Sequence, residues 1–161
     1  MALIFQTLHF LVEAPENPLI DRNDGGHITI SPKTKVTSVQ DFNSRQAIEL
    51  IRLIMVVGEA MTTVMISHGV DIGRINYQDN GNWGVFKPDG PSQHYHIYGR
   101  AKSARHQPYG QACYFPHKDE HPEFYAENVS LSAEDIREIN VEISRLFNTS
   151  KYSDSSWAQF I

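Results

Sequence analysis

From Asn43 onward, Ala47, Leu50, Ile51, Ile54, Gly58, Met61 and Met65 recur at three- and four-residue intervals until Gly69 ends the run. That period is the α-helix's own and gathers the apolar side chains on one stripe. Asn43 and Gln46 read as a capping box, each side chain reaching the other's backbone N–H. The pattern predicts a helix over residues 43–68 whose long apolar face must be covered. The methionines on it read as gap-filling core.

Short β-favouring runs supply the cover. Residues 3–13 are apolar with β-branched and aromatic members and read as one buried strand, broken by Pro15 and Pro18 and followed by the polar loop "DRNDGG". A second strand over 27–31 begins at His27 and stops at Pro32. Strands over 71–77 and 83–86 are predicted, joined through Asn80-Gly81, with another over 93–98. Residues 101–128 show no helical period. Their Tyr109, Tyr114, Phe115, Phe124 and Tyr125 have apolar surface to bury, which predicts an ordered loop. Ile136, Ile139, Ile143 and Leu146 line one face of a second helix over 132–147, and Trp157 and Phe160 suggest that the tail docks. The expected fold is α+β: an antiparallel sheet of about five strands, the long helix packed on it, and a C-terminal helix. One domain over 1–161 is expected, with a core over about 3–101 and an extension over about 102–161.

Charge narrows the partners. The 161 residues carry 14 Lys+Arg against 19 Asp+Glu, a formal net charge of -5, which is no footprint for a nucleic-acid backbone. A small ligand or a protein partner is expected instead. The single cysteine, Cys113, permits no intramolecular disulfide and suits a reducing compartment. The N-terminal run lacks the basic region and cleavage site of a signal peptide, and no stretch approaches about 20 uninterrupted apolar residues. A cytoplasmic protein with no membrane association is expected. No glycine-rich phosphate loop is present, which argues against a kinase or a dinucleotide-binding enzyme, and no cofactor is implied.

The chemistry concentrates in "PSQHYHIYGRA", where His94 and His96 occupy alternate positions. In a strand, Ser92, His94, His96 and Tyr98 would share one face, with Gly90 and Pro91 before them and Gly99 and Arg100 after. Tight backbone beside a fixed cation suits an anion. Imidazole is a competent nucleophile toward phosphorus, because its ordinary pKa of about 6.5 leaves much of it neutral.

"SQHYHIYGR" resembles the signature of the histidine-triad family, three histidines alternating with apolar residues, with Ser92 in place of the first. "GGHITISPK" is similar to a second stretch of that family and makes His27 its fourth histidine. "GVDIGRINYQDNG" resembles the strand carrying a phosphate-proximal asparagine, here Asn76. Two stretches are longer than the family pattern: "ENPLIDRNDGG" and "YQDNGNWGVFKPDGPS".

The resemblance implies a nucleotide-processing hydrolase or nucleotidyl transferase, acting on a nucleoside phosphoramidate or dinucleoside polyphosphate. His94 would attack the phosphate to form a covalent nucleotidyl-histidine, its other ring nitrogen held by the backbone carbonyl of Ser92. His96 would donate to the phosphate or leaving group as a general acid, with Asn76 and His27 as further donors. Ribose would be met by an acidic residue, Glu13 first and Asp21 second, and Arg100 is a further candidate for substrate contact. A homodimer is implied as well.

Other readings remain open at this point. A rival register makes His94 first, His96 middle and Tyr98 third. A metal-binding protein could use His94, His96 and His27, with Cys113, His117 and His121 as a second cluster. A catalytically silent nucleotide-binding protein would keep the fold without turnover.

Overall fold

The computed structural model describes residues 1–79, 82–85 and 87–158. Five antiparallel strands form one sheet, β1 (Ala2–Gln6), β2 (Phe10–Ala14), β3 (His27–Pro32), β4 (Ile72–Gln78) and β5 (Tyr95–Ala101), in spatial order β1-β2-β3-β5-β4. Helices α1 (Ser44–Ser67) and α2 (Ala133–Phe147) cover one face, and a short α3 (Asp154–Trp157) follows. The α+β architecture is the expected one.

The long helix begins and ends where local chemistry dictates. Asn43 Oδ1 accepts from Gln46 N at 3.0 Å and Gln46 Oε1 accepts from Asn43 N at 3.1 Å, so the capping box is complete. At the other end Gly69 takes φ +83°, letting its N–H reach Ile66 O and Val70 N–H reach Met65 O, a Schellman closure. Leu50, Leu53, Val57, Met61 and Met65 are buried against the sheet, whereas Ile51 points to solvent. By length and composition α1 could cross a bilayer, unlike the expectation that no run would qualify. Its inner face is committed to the core of this fold.

Two strand expectations are corrected. Residues 3–13 fold as a hairpin, β1 and β2, because Thr7 turns the chain: its hydroxyl accepts from Phe10 N–H and its own N–H reaches Phe10 O. The hairpin restores the five strands, since the described residues of the predicted 83–86 strand form none. Asn82–Gly84 form a 3-10 turn instead, the Pro88 and Gly90 that follow offering no continuing ladder. The Asn80-Gly81 turn, Phe86 and Phe160 lie outside the described residues.

Register decides what the other sheet face presents. Thr29 stands opposite both Glu13 and His96, and His96 opposite Gln78, while His27 and Asn76 flank Tyr98. Directly opposed residues share a face. His27, Thr29, Gln78, His96 and Tyr98 therefore converge on the side away from the helices, where the ordered 102–128 segment crosses over them.

Candidate active site

Strand β3 brings His27, and β5 with its lead-in brings Ser92, His94 and His96, into one cleft of about 770 Å³. That volume suits a small ligand. Thr29, Gln78, Trp83, Lys87, Cys113, Phe115 and Lys118 also line it. No Asp or Glu is among the described lining residues, although the chain as a whole is acidic.

Hydrogen bonds assign the imidazole protons. Leu19 N–H donates to His27 Nδ1 at 3.1 Å, so that nitrogen carries a lone pair and the ring's proton sits on Nε2. His27 Nε2 lies 2.9 Å from His96 Nδ1 and donates to it, which leaves the proton of His96 on Nε2. Burial above all, with His94 and Lys118 nearby, pushes His96 down to about 3, and burial, with His96, Lys118 and His94 nearby, holds His27 well below the usual histidine range. Both rings are neutral near pH 7. His94 differs: its Nδ1–H donates to the backbone carbonyl of Ser92 at 2.7 Å. Because a carbonyl only accepts, the lone pair of a neutral His94 must sit on Nε2.

The rings of His94 and His96 lie 4.6 Å apart edge to face, and His96 stacks on Tyr98 at 5.4 Å. Tyr98 is fully buried beneath them and against Phe115 at 5.0 Å, and burial pushes its phenol far above its usual range. It does not line the cleft. The rival register would place Tyr98 as a working third member and His96 on a backbone carbonyl, whereas His96 Nδ1 is occupied by His27.

Several expected contacts lie elsewhere. Asn76 shares the sheet face, but its Oδ1 accepts from Arg100 Nη1 at 2.9 Å, and both line a separate cavity of about 340 Å³ with Arg74 and Tyr109. Arg100 is no surface arginine: 4 % exposed, it donates to the carbonyls of Gln107, Pro108 and Gln111 and to Cys113 Sγ. It straps the crossing segment to the sheet. Gly99 likewise serves packing, since a Cβ there would stand 2.2 Å from Gly25 O. Glu13 occupies the same face one strand outward, outside the cleft lining. Asp21 is spent on structure, accepting from Asn23 N at 2.8 Å and Val129 N at 2.6 Å.

The metal readings meet the same geometry. Both ring nitrogens of His27 are engaged, and Cys113 Sγ faces Arg100, while His117 and His121 pair with Asp119 and Glu123. Among the described residues no three His, Cys, Asp or Glu side chains gather as a metal site.

Sequence reasoning missed Gln78, Trp83, Lys87 and Lys118. Gln78 was within reach, two residues beyond Asn76 on the same strand face. Lys118 was not, since it arrives on a segment without period.

No family model matches the sequence, and no curated protein matches it. Solved structures do. A histidine triad protein from Bradyrhizobium japonicum aligns with TM-score 0.59 and 15% identity over 89% of this chain and 87% of that one. A hypothetical histidine triad nucleotide-binding protein from Sulfolobus tokodaii gives TM-score 0.57 and 15% identity over 90% and 85%. A Zn-bound histidine triad family protein from Mycobacterium smegmatis gives 0.53 and 15% over 89% and 84%.

Proposed function

We propose that this chain, which has the histidine-triad fold, is a nucleotide-processing hydrolase or nucleotidyl transferase working through a covalent intermediate on His94. The observation that carries the reading is the 2.7 Å hydrogen bond from His94 Nδ1 to Ser92 O, which aims a lone pair on Nε2 into a cleft lined by donors and without a described carboxylate. Losing an imidazole at position 92 costs this device nothing, because the carbonyl is backbone.

In the proposed reaction His94 Nε2 attacks the substrate's α-phosphorus, and the bond from phosphorus to the leaving group breaks with its electron pair going to that group. The product is a nucleotidyl imidazolium whose positive charge is shared with Nδ1–H and steadied by Ser92 O. Water then attacks phosphorus as the phosphorus–Nε2 bond breaks with its electron pair returning to Nε2, so that His94 departs neutral. The proton released by water goes to solvent, which also supplies the proton taken up by the leaving group. Holding nucleophile and phosphate in one cleft supplies much of the acceleration.

The role of His96 changes from the expected one. With its proton on Nε2 and its pKa near 3, it is a neutral hydrogen-bond donor to a phosphoryl oxygen and cannot act as an imidazolium acid at neutral pH. His27 orients it. A panel of nucleoside phosphoramidates and dinucleoside polyphosphates, assayed for nucleoside monophosphate release, tests the reading. Turnover that disappears in His94→Ala is expected. Turnover that survives in His94→Ala would contradict it.

A further inference from the structure

The described lining of the cleft has two lysines in different settings. Lys87 is exposed at the rim, whereas Lys118 is half-buried, and burial lowers its pKa. Lys118 Nζ donates to one neutral acceptor, Asn17 O, at 2.8 Å and lies 5.3 Å from the centre of the Tyr125 ring. Among the described residues no carboxylate comes within ion-pair distance of it. Its acidic neighbour Asp119 faces His117 instead. An ammonium has three donors, so two remain for something else.

Its position is built, not incidental. Tyr125 OH donates to Pro116 O at 2.6 Å and fixes the segment two residues before Lys118, while Asn17 O holds the ammonium from the opposite wall. From there Lys118 acts on the neutral pair His27 and His96 closely enough to depress both. A half-buried cation without a counter-charge is unfavourable until an anion joins it. Here the open space beside it is the cleft that holds His94 Nε2 and His96 Nε2–H.

We infer that Lys118 binds the negative charge of the substrate's phosphoryl group, so that the cleft selects anionic nucleoside phosphates over the uncharged nucleoside. The inference rests on the phosphoryl-transfer reading of the same cleft. It makes the 102–128 segment part of the active site, and Lys118 a charge-specific binding residue beside neutral histidine donors.

The test is calorimetric titration with AMP, GMP, CMP and UMP, each beside its own nucleoside, on the wild-type chain, Lys118→Gln and Lys118→Arg. At least one monophosphate is expected to bind the wild type. Lys118→Gln should weaken it about ten- to hundredfold, the value of a charge-assisted hydrogen bond, and leave the nucleoside within about threefold. Lys118→Arg should restore most of the loss. Equal weakening of nucleotide and nucleoside would make Lys118 a mere anchor for Asn17 and overturn the inference, as would an unchanged Lys118→Gln or no monophosphate binding at all. Labelling of His94 by substrate, measured separately, distinguishes the two ideas: labelling with no charge-selective loss removes Lys118 alone. Charge-selective loss without labelling removes the hydrolase reading and leaves Lys118 as the anion-binding residue.

Discussion

A histidine serves as a nucleophile only through a ring nitrogen that keeps its lone pair, and at position 94 the backbone decides which nitrogen that is. Ser92→Ala keeps the carbonyl that accepts from His94 Nδ1, so turnover should change by less than about threefold. His94→Ala removes the covalent route and should cost at least about 10⁴-fold in kcat, measured with the best substrate of the panel. Ser92→Ala as severe as His94→Ala would mean that the hydroxyl, not the carbonyl, does the work. Depressed titration makes a second prediction. His96, at about 3, and His27, lower than usual, refuse protons in the fold that the unfolded chain accepts near 6.5. Their contribution is full above pH 6.5 and is lost as pH falls toward 3. Denaturant unfolding should show stability falling between pH 6.5 and 4, by roughly 1.4 kcal/mol per pH unit for each histidine once both are charged in the unfolded chain. His96→Gln should flatten that slope, and a flat wild-type profile would contradict the proton assignment. The facing of His94 and His96 was legible from their alternation. The His27 to His96 bond was not, because it depends on which strands become neighbours.

Elements were legible where the signal is local. The Asn43–Gln46 capping box and 3.6-residue spacing for α1, and the spacing alone for α2, placed both helices within a residue of their observed bounds, while the turn at Thr7 escaped because no Gly or Pro marks it. What ties elements together is less visible from sequence. Asp135, at 0 % exposed, receives Arg22 through Nε at 2.6 Å and Nη2 at 2.7 Å, and His68 Nδ1 at 2.7 Å, joining α2 to the end of α1 and the loop before β3. Burial alone would raise its pKa, but Arg22, His68 and Ser132 hold it well below the usual carboxylate range. This stability is present above about pH 4 and lost below it. His68, raised chiefly by its bond to Asp135, adds stability at low pH that fades as pH rises through its elevated value. Asp135→Asn leaves Arg22 facing a neutral amide and should cost about 3–5 kcal/mol, read as a fall in Tm. A loss below about 1 kcal/mol would show that the network is dispensable. Gly99→Ala forces a Cβ against Gly25 O, and should cost at least the roughly 1–3 kcal/mol of an overpacked core.

At the scale of the whole molecule, a chain of net charge -5 keeps Asp and Glu out of the described lining of one cleft and places Lys87 and Lys118 there. Such separation of charge draws anions inward, so nucleotide affinity should weaken with added salt. The same sheet leaves β4 at an edge, with Tyr77 exposed on it. We propose a homodimer, for which light scattering should return twice 18.3 kDa, and a single-chain mass at micromolar concentration would contradict it. Composition excluded nucleic acid as a partner in the expectation, yet it could not reveal the cleft, whose walls come from segments about 100 residues apart in sequence, Asn17 and Lys118 among them. The central claim concerns one covalent bond. Brief incubation with a nucleotide substrate labelled in its α-phosphate, alkaline quench and peptide mass spectrometry should find a base-stable, acid-labile nucleotidyl adduct on His94. An adduct on any other residue, or turnover with no adduct even in rapid-quench samples, would contradict it.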